Sequence, residues 1–198
     1  MNLLAVIGSD GRWQPGIGDP SAMGWVTVAA YGITALVCLI YAVRSARAGL
    51  PRGHQMLWLA VAGLMLLLGI NKQLDLQSLL TQIGRDTALA QGWYEQRGGM
   101  QRAFIVAMAA AGALGMAALF ALTRRQRRRN WPALAGLCLL TVFLVIRAAS
   151  FHHVDAMIHG RIAGVKLNWL MELGGIAMVC VAAIINIKLA ARAADDSC

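Results

Sequence analysis

AMGWVTVAAYGITALVCLIYAV, residues 22–43, runs for 22 positions without a charged side chain and is closed by Arg44. A helix needs about 20 mostly apolar residues to cross roughly 30 Å of hydrocarbon, so this stretch predicts a membrane span. Four others share its character: Met56–Gln73 (56–73), Arg102–Leu122 (102–122), Trp131–Ala149 (131–149) and Leu167–Ile187 (167–187). None alternates with period 2, which sets aside a β-barrel. The expected fold is all-α: a polytopic membrane protein whose five transmembrane helices form one bundle domain over residues 1–198. With 59% hydrophobic and 14% charged residues and a mean hydropathy of +0.61, the composition lies outside the soluble range. Met1–Ile7 has no basic residue and too short an apolar core for a secretory signal, so this segment is expected to remain in the mature chain.

The 18 Lys and Arg against 9 Asp and Glu distribute unevenly between the spans. Arg44, Arg47, Arg52, Arg124, Arg125, Arg127, Arg128, Arg129, Lys188 and Arg192 fall on one side, with only Asp195 and Asp196 opposing them. The other side is nearly balanced. The positive-inside rule then places the N-terminus outside and the C-terminus in the cytoplasm, in a multi-pass protein of the cell inner membrane. The net charge of +9 is thereby a statement about topology, and no nucleic-acid partner is expected. The lipid bilayer is the expected partner, with a homo-oligomer or an envelope protein complex open beyond it. Gly112 and Gly115 make the third span rich in small residues, which suits a central position or a self-association face. Cys38, Cys138 and Cys180 each stand alone within a span and read as packing residues.

The outer side holds nearly all the residues suited to chemistry. Gly16-Ile-Gly-Asp-Pro20 is turn-rich and reads as a lid over the bundle. The count of residues from Leu57 puts Asn71, Lys72, Gln73 and Asp75 at the outer membrane boundary. On a continuing helix Asn71 and Asp75 share a face, with Ser78 near it. Residues 74–85 mix leucines with Gln77, Gln82 and Arg85, as an amphipathic helix on the outer surface does. Asp86 is expected to cap a second short helix reaching Arg97, with Gly98-Gly99 breaking the chain before the third span.

Arg147–Lys166 concentrates three of the four histidines: His152, His153 and His159, with Asp155 between them. On a continuing helix His152–Asp155 and Asp155–His159 have same-face spacing, suited to metal ligation or proton exchange. Asn168 and Glu172 share a face of the fifth span. Glu172 lies more than a turn inside it, where an ionisable residue is costly and marks a functional site once a partner is named. Arg147, Lys72 and the histidine pair are the candidates.

These residues define an outward-facing His/carboxylate pocket. His152, His153 and Glu172 are its catalytic candidates. His152, His153, Asp155, Asp75 and Glu172 are candidate ligands for a divalent transition metal, Zn, Fe or Mn, whose preferences match imidazole and carboxylate. Asn71, Lys72, Arg147 and Asn168 would bind or orient substrate. The expected function is a metal-binding membrane-embedded enzyme, a hydrolase or oxidoreductase acting on a lipid-borne or periplasmic substrate. The alternative is a non-enzymatic accessory or scaffold subunit of an envelope membrane complex, in which Glu172–Arg147 and Asp75–Lys72 or Asp155–His pairs only lock helix ends together. A haem held across the bundle is disfavoured because His54 lies on the opposite side from the other histidines. A channel is disfavoured because the inner halves of the spans are apolar apart from Asn186.

Overall fold

In the computed structural model the described residues are 16–90, 92, 97–123, 127–149, 161–162 and 165–195. They form six helices: α1 (Ala22–Arg47), α2 (Arg52–Leu74), α3 (Leu76–Ala90), α4 (Arg97–Leu122), α5 (Arg127–Ala149) and α6 (Leu167–Asp195). Between α5 and α6 a two-residue strand β1 (Arg161–Ile162) pairs antiparallel with β2 (Val165–Lys166), Arg161 opposite Lys166. An all-helical reading misses this ladder because two residues per strand carry no alternation to detect.

Four helical segments are long and apolar enough to cross a membrane: Ala22–Arg47, Arg52–Leu74, Arg129–Arg147 and Leu167–Arg192. The expected third span corresponds to α4, whose apolar run Ile105–Ala121 is shorter than these four. The described residues thus give a helical, multi-pass architecture with four helices of spanning length.

The core lies between α1, α2, α5 and α6. α1 buries Thr27, Tyr31, Thr34, Ala35, Cys38, Tyr41, Ala42 and Ser45, the three- and four-residue spacing of one helical face. α2 meets it with His54, Leu57, Trp58, Val61, Ala62, Met65, Gly69 and Lys72. α1 packs along α2 and α6, α5 along α6, and α4 against α5. The outward faces carry large apolar side chains: Leu36 is 57% exposed, Leu67 65% and Leu114 72%. In water such a surface would aggregate; in a bilayer it meets hydrocarbon at no cost.

Two glycine contacts set how closely the helices approach. A Cβ on Gly136 of α5 would lie 2.6 Å from the Gly175 carbonyl oxygen of α6, and one on Gly175 would lie 3.0 Å from the Gly136 carbonyl oxygen. Backbone thus meets backbone where small residues permit it. Gly69 of α2 does the same for Tyr31, whose Cβ would be 3.1 Å from an added methyl.

Several boundaries differ from those expected. α2 stops at Leu74, because Asp75 turns into the left-handed region at φ 44° while its N–H donates to the Asn71 carbonyl. Asp tolerates that conformation better than most residues. Asn71 and Asp75 therefore do not share a continuing helix face. α3 then runs unbroken through Asp86, which lies inside it and not at a helix start, and Gly98-Gly99 fall inside the first turn of α4. α5 begins before Trp131, leaving Pro132 inside the helix and not at its start. His152, His153, Asp155 and His159 lie outside the described residues.

Candidate functional site

The site forms where the ends of α1, α2, α5 and α6 furthest from the arginine cluster converge. The leading segment, residues 16–21, docks on the end of α2: the Gly18 N–H donates to the Gln73 carbonyl, and the Asp19 N–H to Gln73 Oε1 at 3.3 Å. A Cβ on Gly18 would come within 2.7 Å of that carbonyl oxygen, so glycine permits the approach. Ser21 caps α1, its hydroxyl accepting the Gly24 N–H at 3.0 Å while it donates to Asp19 Oδ1 at 2.6 Å. The cap holds the Asp19 carboxylate facing α2.

Lys72, in the last turn of α2, is buried despite its charge. Its Nζ lies 3.1 Å from Glu172 Oε2 and 3.6 Å from Asp19 Oδ2. Glu172 is 3% exposed, and its other oxygen accepts the Tyr31 hydroxyl at 3.3 Å. An isolated carboxylate at that depth would be expelled or protonated. Here a cation and a hydroxyl from two other helices meet it. A second pair joins α5 to the α2 corner, Arg147 to Asp75 Oδ1 at 3.7 Å.

Burial of Asp19 by itself raises the carboxyl pKa. The Ser21 hydroxyl and N–H and the Lys72 charge outweigh it, so the group sits below the ordinary carboxylate value of 3.8. The ionised form is the one the site stabilises.

Of the expected site residues, the structure brings together Lys72 and Glu172, and separately Asp75 and Arg147. The plainer pairing expected from sequence, Glu172 with Arg147 and Asp75 with Lys72, is corrected: the partners are exchanged. The break of α2 at Asp75 is the reason, because it carries that carboxylate off the Lys72 face toward α5. Asn168 lies one turn before Glu172. Its Oδ1 is buried without a hydrogen-bond partner among the described residues, as is Gln73 Nε2 beside Lys72. Asn71, next to Lys72 on α2, is half-buried. The described residues contain no group of three or more His, Cys, Asp or Glu arranged for a metal, and the candidate ligands His152, His153 and Asp155 lie outside them.

Tyr31 and Asp19 escape a sequence reading. Tyrosine in an apolar run reads as core, and Asp19 reads as a turn residue. The signal available for Tyr31 was its place on the inward face of α1, at the depth of Glu172.

The opposite end of the bundle holds a second polar cluster. Arg129 of α5 donates to the Tyr41 hydroxyl of α1 at 2.9 Å and lies 3.5 Å from His54 Nε2 of α2. Tyr41 and His54 bond at 2.6 Å. A guanidinium only donates, so the arrangement is satisfied when the Tyr41 proton points to His54 Nε2 and the imidazole is neutral. The Tyr41 ring also meets Trp58 edge-on, centroids 5.1 Å apart. Nearby, Asn186 Nδ2 of α6 donates to Asn130 Oδ1 at 3.4 Å and to the Ala182 carbonyl at 2.8 Å. His54, on the opposite side from the other histidines, is buried.

Comparison with known proteins adds no relative: no family, curated protein or solved structure matches this chain.

Proposed function

We propose that the chain is a five-span protein of the cell inner membrane, N-terminus outside, whose outward-facing end is a membrane-embedded acid–base site. The site acts on a lipid-borne or periplasmic substrate as a hydrolase or oxidoreductase. The observation that carries this reading is the buried Lys72–Glu172–Tyr31 cluster, with Asn168 Oδ1 of α6 and Gln73 Nε2 of α2 buried and without a hydrogen-bond partner among the described residues. Lys72 supplies a fixed positive charge for a developing anion. Glu172 and the Tyr31 hydroxyl can pass a proton between them. Asn168 and Gln73 offer one acceptor and one donor to a polar guest. His152 and His153 follow Arg147 by five and six residues, so they are tethered within about 22 Å of it by chain length alone. In this reading they bring a Zn, Fe or Mn ion to the site with Asp155 and act as its base, while Asn71 and Arg147 orient substrate.

Metal analysis of the detergent-purified protein tests the reading. Wild type is expected to carry about one equivalent of transition metal, lost in His152→Ala and retained in Lys72→Arg. No metal in wild type, with His152→Ala indistinguishable in the cell, overturns it. Orientation is checked by cysteine labelling: a Cys at Ser78 is expected to react in intact cells, and one at Gln126 only after permeabilisation.

A second reading is favoured by one observation: Glu172 and Asp75 are each engaged by a cation of the chain itself. In that reading the protein is an accessory or scaffold subunit and the pairs only clamp helices. It expects the histidine variants to be silent and the loss of Lys72 to act on assembly alone.

A further inference from the structure

We infer that residues 16–21 form a strap that seats the Asp19 carboxylate where a substrate carboxylate binds, so that substrate displaces it to reach Lys72. This names the substrate class of the outward-facing site, and it rests on the reading of that site as one that takes a substrate. The first observation is the inequality of the two carboxylates on Lys72. Glu172 is 3% exposed, and its Oε2 accepts from Nζ at 3.1 Å. The Asp19 side chain is 31% exposed, and its Oδ2 stands 3.6 Å from Nζ, longer than an ordinary hydrogen bond. An ammonium carries three donors, so Lys72 can give a shorter bond to an acceptor that comes closer than Asp19 does.

The second observation is how the strap is attached. It bears on α2 through the Gly18 N–H on the Gln73 carbonyl and the Asp19 N–H on Gln73 Oε1. Side chains add little, since Gly16 and Gly18 have none and Pro20 and Ser21 are exposed. Segments held this lightly open before the rest of a fold does. The carboxylate itself is firmly aimed: the Ser21 hydroxyl donates to Oδ1 at 2.6 Å, and a Cβ on Gly24 would lie 2.7 Å from the same oxygen. A lightly attached strap thus presents one oriented anion to a buried cation. Lifting it uncovers Lys72 together with Gln73, whose Nε2 is buried without a hydrogen-bond partner among the described residues. That amide, relieved of the Asp19 N–H, can turn its donor to the guest.

Charge selects the class of guest. An anion in the place of Asp19 faces Glu172 across a single ammonium. A carboxylate exchanges one negative charge for another. A phosphate monoester, at about −1.5 to −2, would add negative charge beside Glu172 where the surroundings screen it poorly.

The test uses the full chain in nonionic detergent and reads deuterium uptake at residues 16–21, whose bonded N–H groups exchange when the strap lifts. Sodium acetate and sodium laurate are the probes, set against sodium chloride and inorganic phosphate at matched ionic strength and against dodecanol as the uncharged chain. A carboxylate that takes over the ion pair is expected to raise uptake about fivefold. Acetate acting marks a water-borne substrate, and laurate acting where acetate does not marks one delivered from the bilayer. Asp19→Asn weakens the competitor and is expected to lower the half-effect concentration about threefold. If that variant already exchanges at the open rate, the same carboxylate is expected to raise its denaturant midpoint, and no rise overturns the inference. Unchanged uptake with both carboxylates overturns it, as does an equal response to phosphate, chloride or dodecanol, or an unshifted half-effect concentration in Asp19→Asn. Metal in the wild type with no carboxylate response removes this inference and leaves the metal chemistry standing. A carboxylate response without metal does the reverse.

Discussion

The two ends of the bundle solve the same problem with opposite chemistry. Each must hold a charged side chain among apolar helices. At one end Lys72 is met by carboxylates, Glu172 at 3.1 Å and Asp19 at 3.6 Å. At the other, Arg129 is met by a phenol and an imidazole. A buried charge answered by a charge becomes costly when either partner leaves, because the survivor is stranded. A charge answered by dipoles at a half-buried position loses only hydrogen bonds. The first arrangement therefore commits the structure more firmly than the hydrogen bonds of the second do.

The largest effect should come from breaking the charged end. Lys72→Met leaves Glu172 without its cation and is expected to cost about 3–5 kcal/mol. The double variant Lys72→Met/Glu172→Gln should recover most of it. Denaturant titration in detergent measures both, and a double variant no better than the single would show that the charges are not the source. Arg129→Met, read in the same titration, should cost less, about 1–3 kcal/mol, as it leaves two neutral groups unbonded. A cost above that of Lys72→Met would reverse the contrast. Removing one hydroxyl at each end sharpens it further. Tyr31→Phe takes a donor from a carboxylate and should cost about 1.5–3 kcal/mol, whereas Tyr41→Phe should cost about 0.5–1.5.

The smallest effect is the acid response of residues 16–21. The Asp19 carboxyl is depressed in the folded chain, so its contribution is complete above the ordinary carboxylate value of 3.8. That contribution is lost as pH falls through the depressed value. Amide exchange of the Gly18 and Asp19 N–H groups should therefore stay protected to pH 4 and open below it. Asp19→Asn should remove the pH dependence.

Helical class and most spans were legible because an apolar run of fixed length is a strong local signal. Glu172 and Lys72 were legible as candidate site residues since charge inside a span is rare, and Lys72 was among the partners expected for Glu172. The choice between Lys72 and Arg147 was not legible, because it turns on the left-handed residue Asp75, a single backbone angle that brings that carboxylate to Arg147. The Tyr41–His54–Arg129 contact joins residues 13 and 88 positions apart, and nothing in their local sequence distinguishes it from ordinary boundary residues. The ladder at Arg161–Lys166 was too short to show a pattern.

The apolar contacts of the bundle join α1 to α2, α1 to α6 and α5 to α6. These are three sides of a quadrilateral, and sides alone let a frame lean. Lys72–Glu172 runs from α2 to α6, Arg147–Asp75 from α5 to the end of α2, and Arg129 from α5 to α1 and α2. Lys72–Glu172 and Arg129–Tyr41 cross the frame as diagonals, and Arg147–Asp75 closes its fourth side. Leaning the bundle would require these polar links to stretch, so the shape that apolar packing leaves adjustable is triangulated by a handful of side chains. A partner or substrate that competes for one brace would thereby gain leverage over the whole frame.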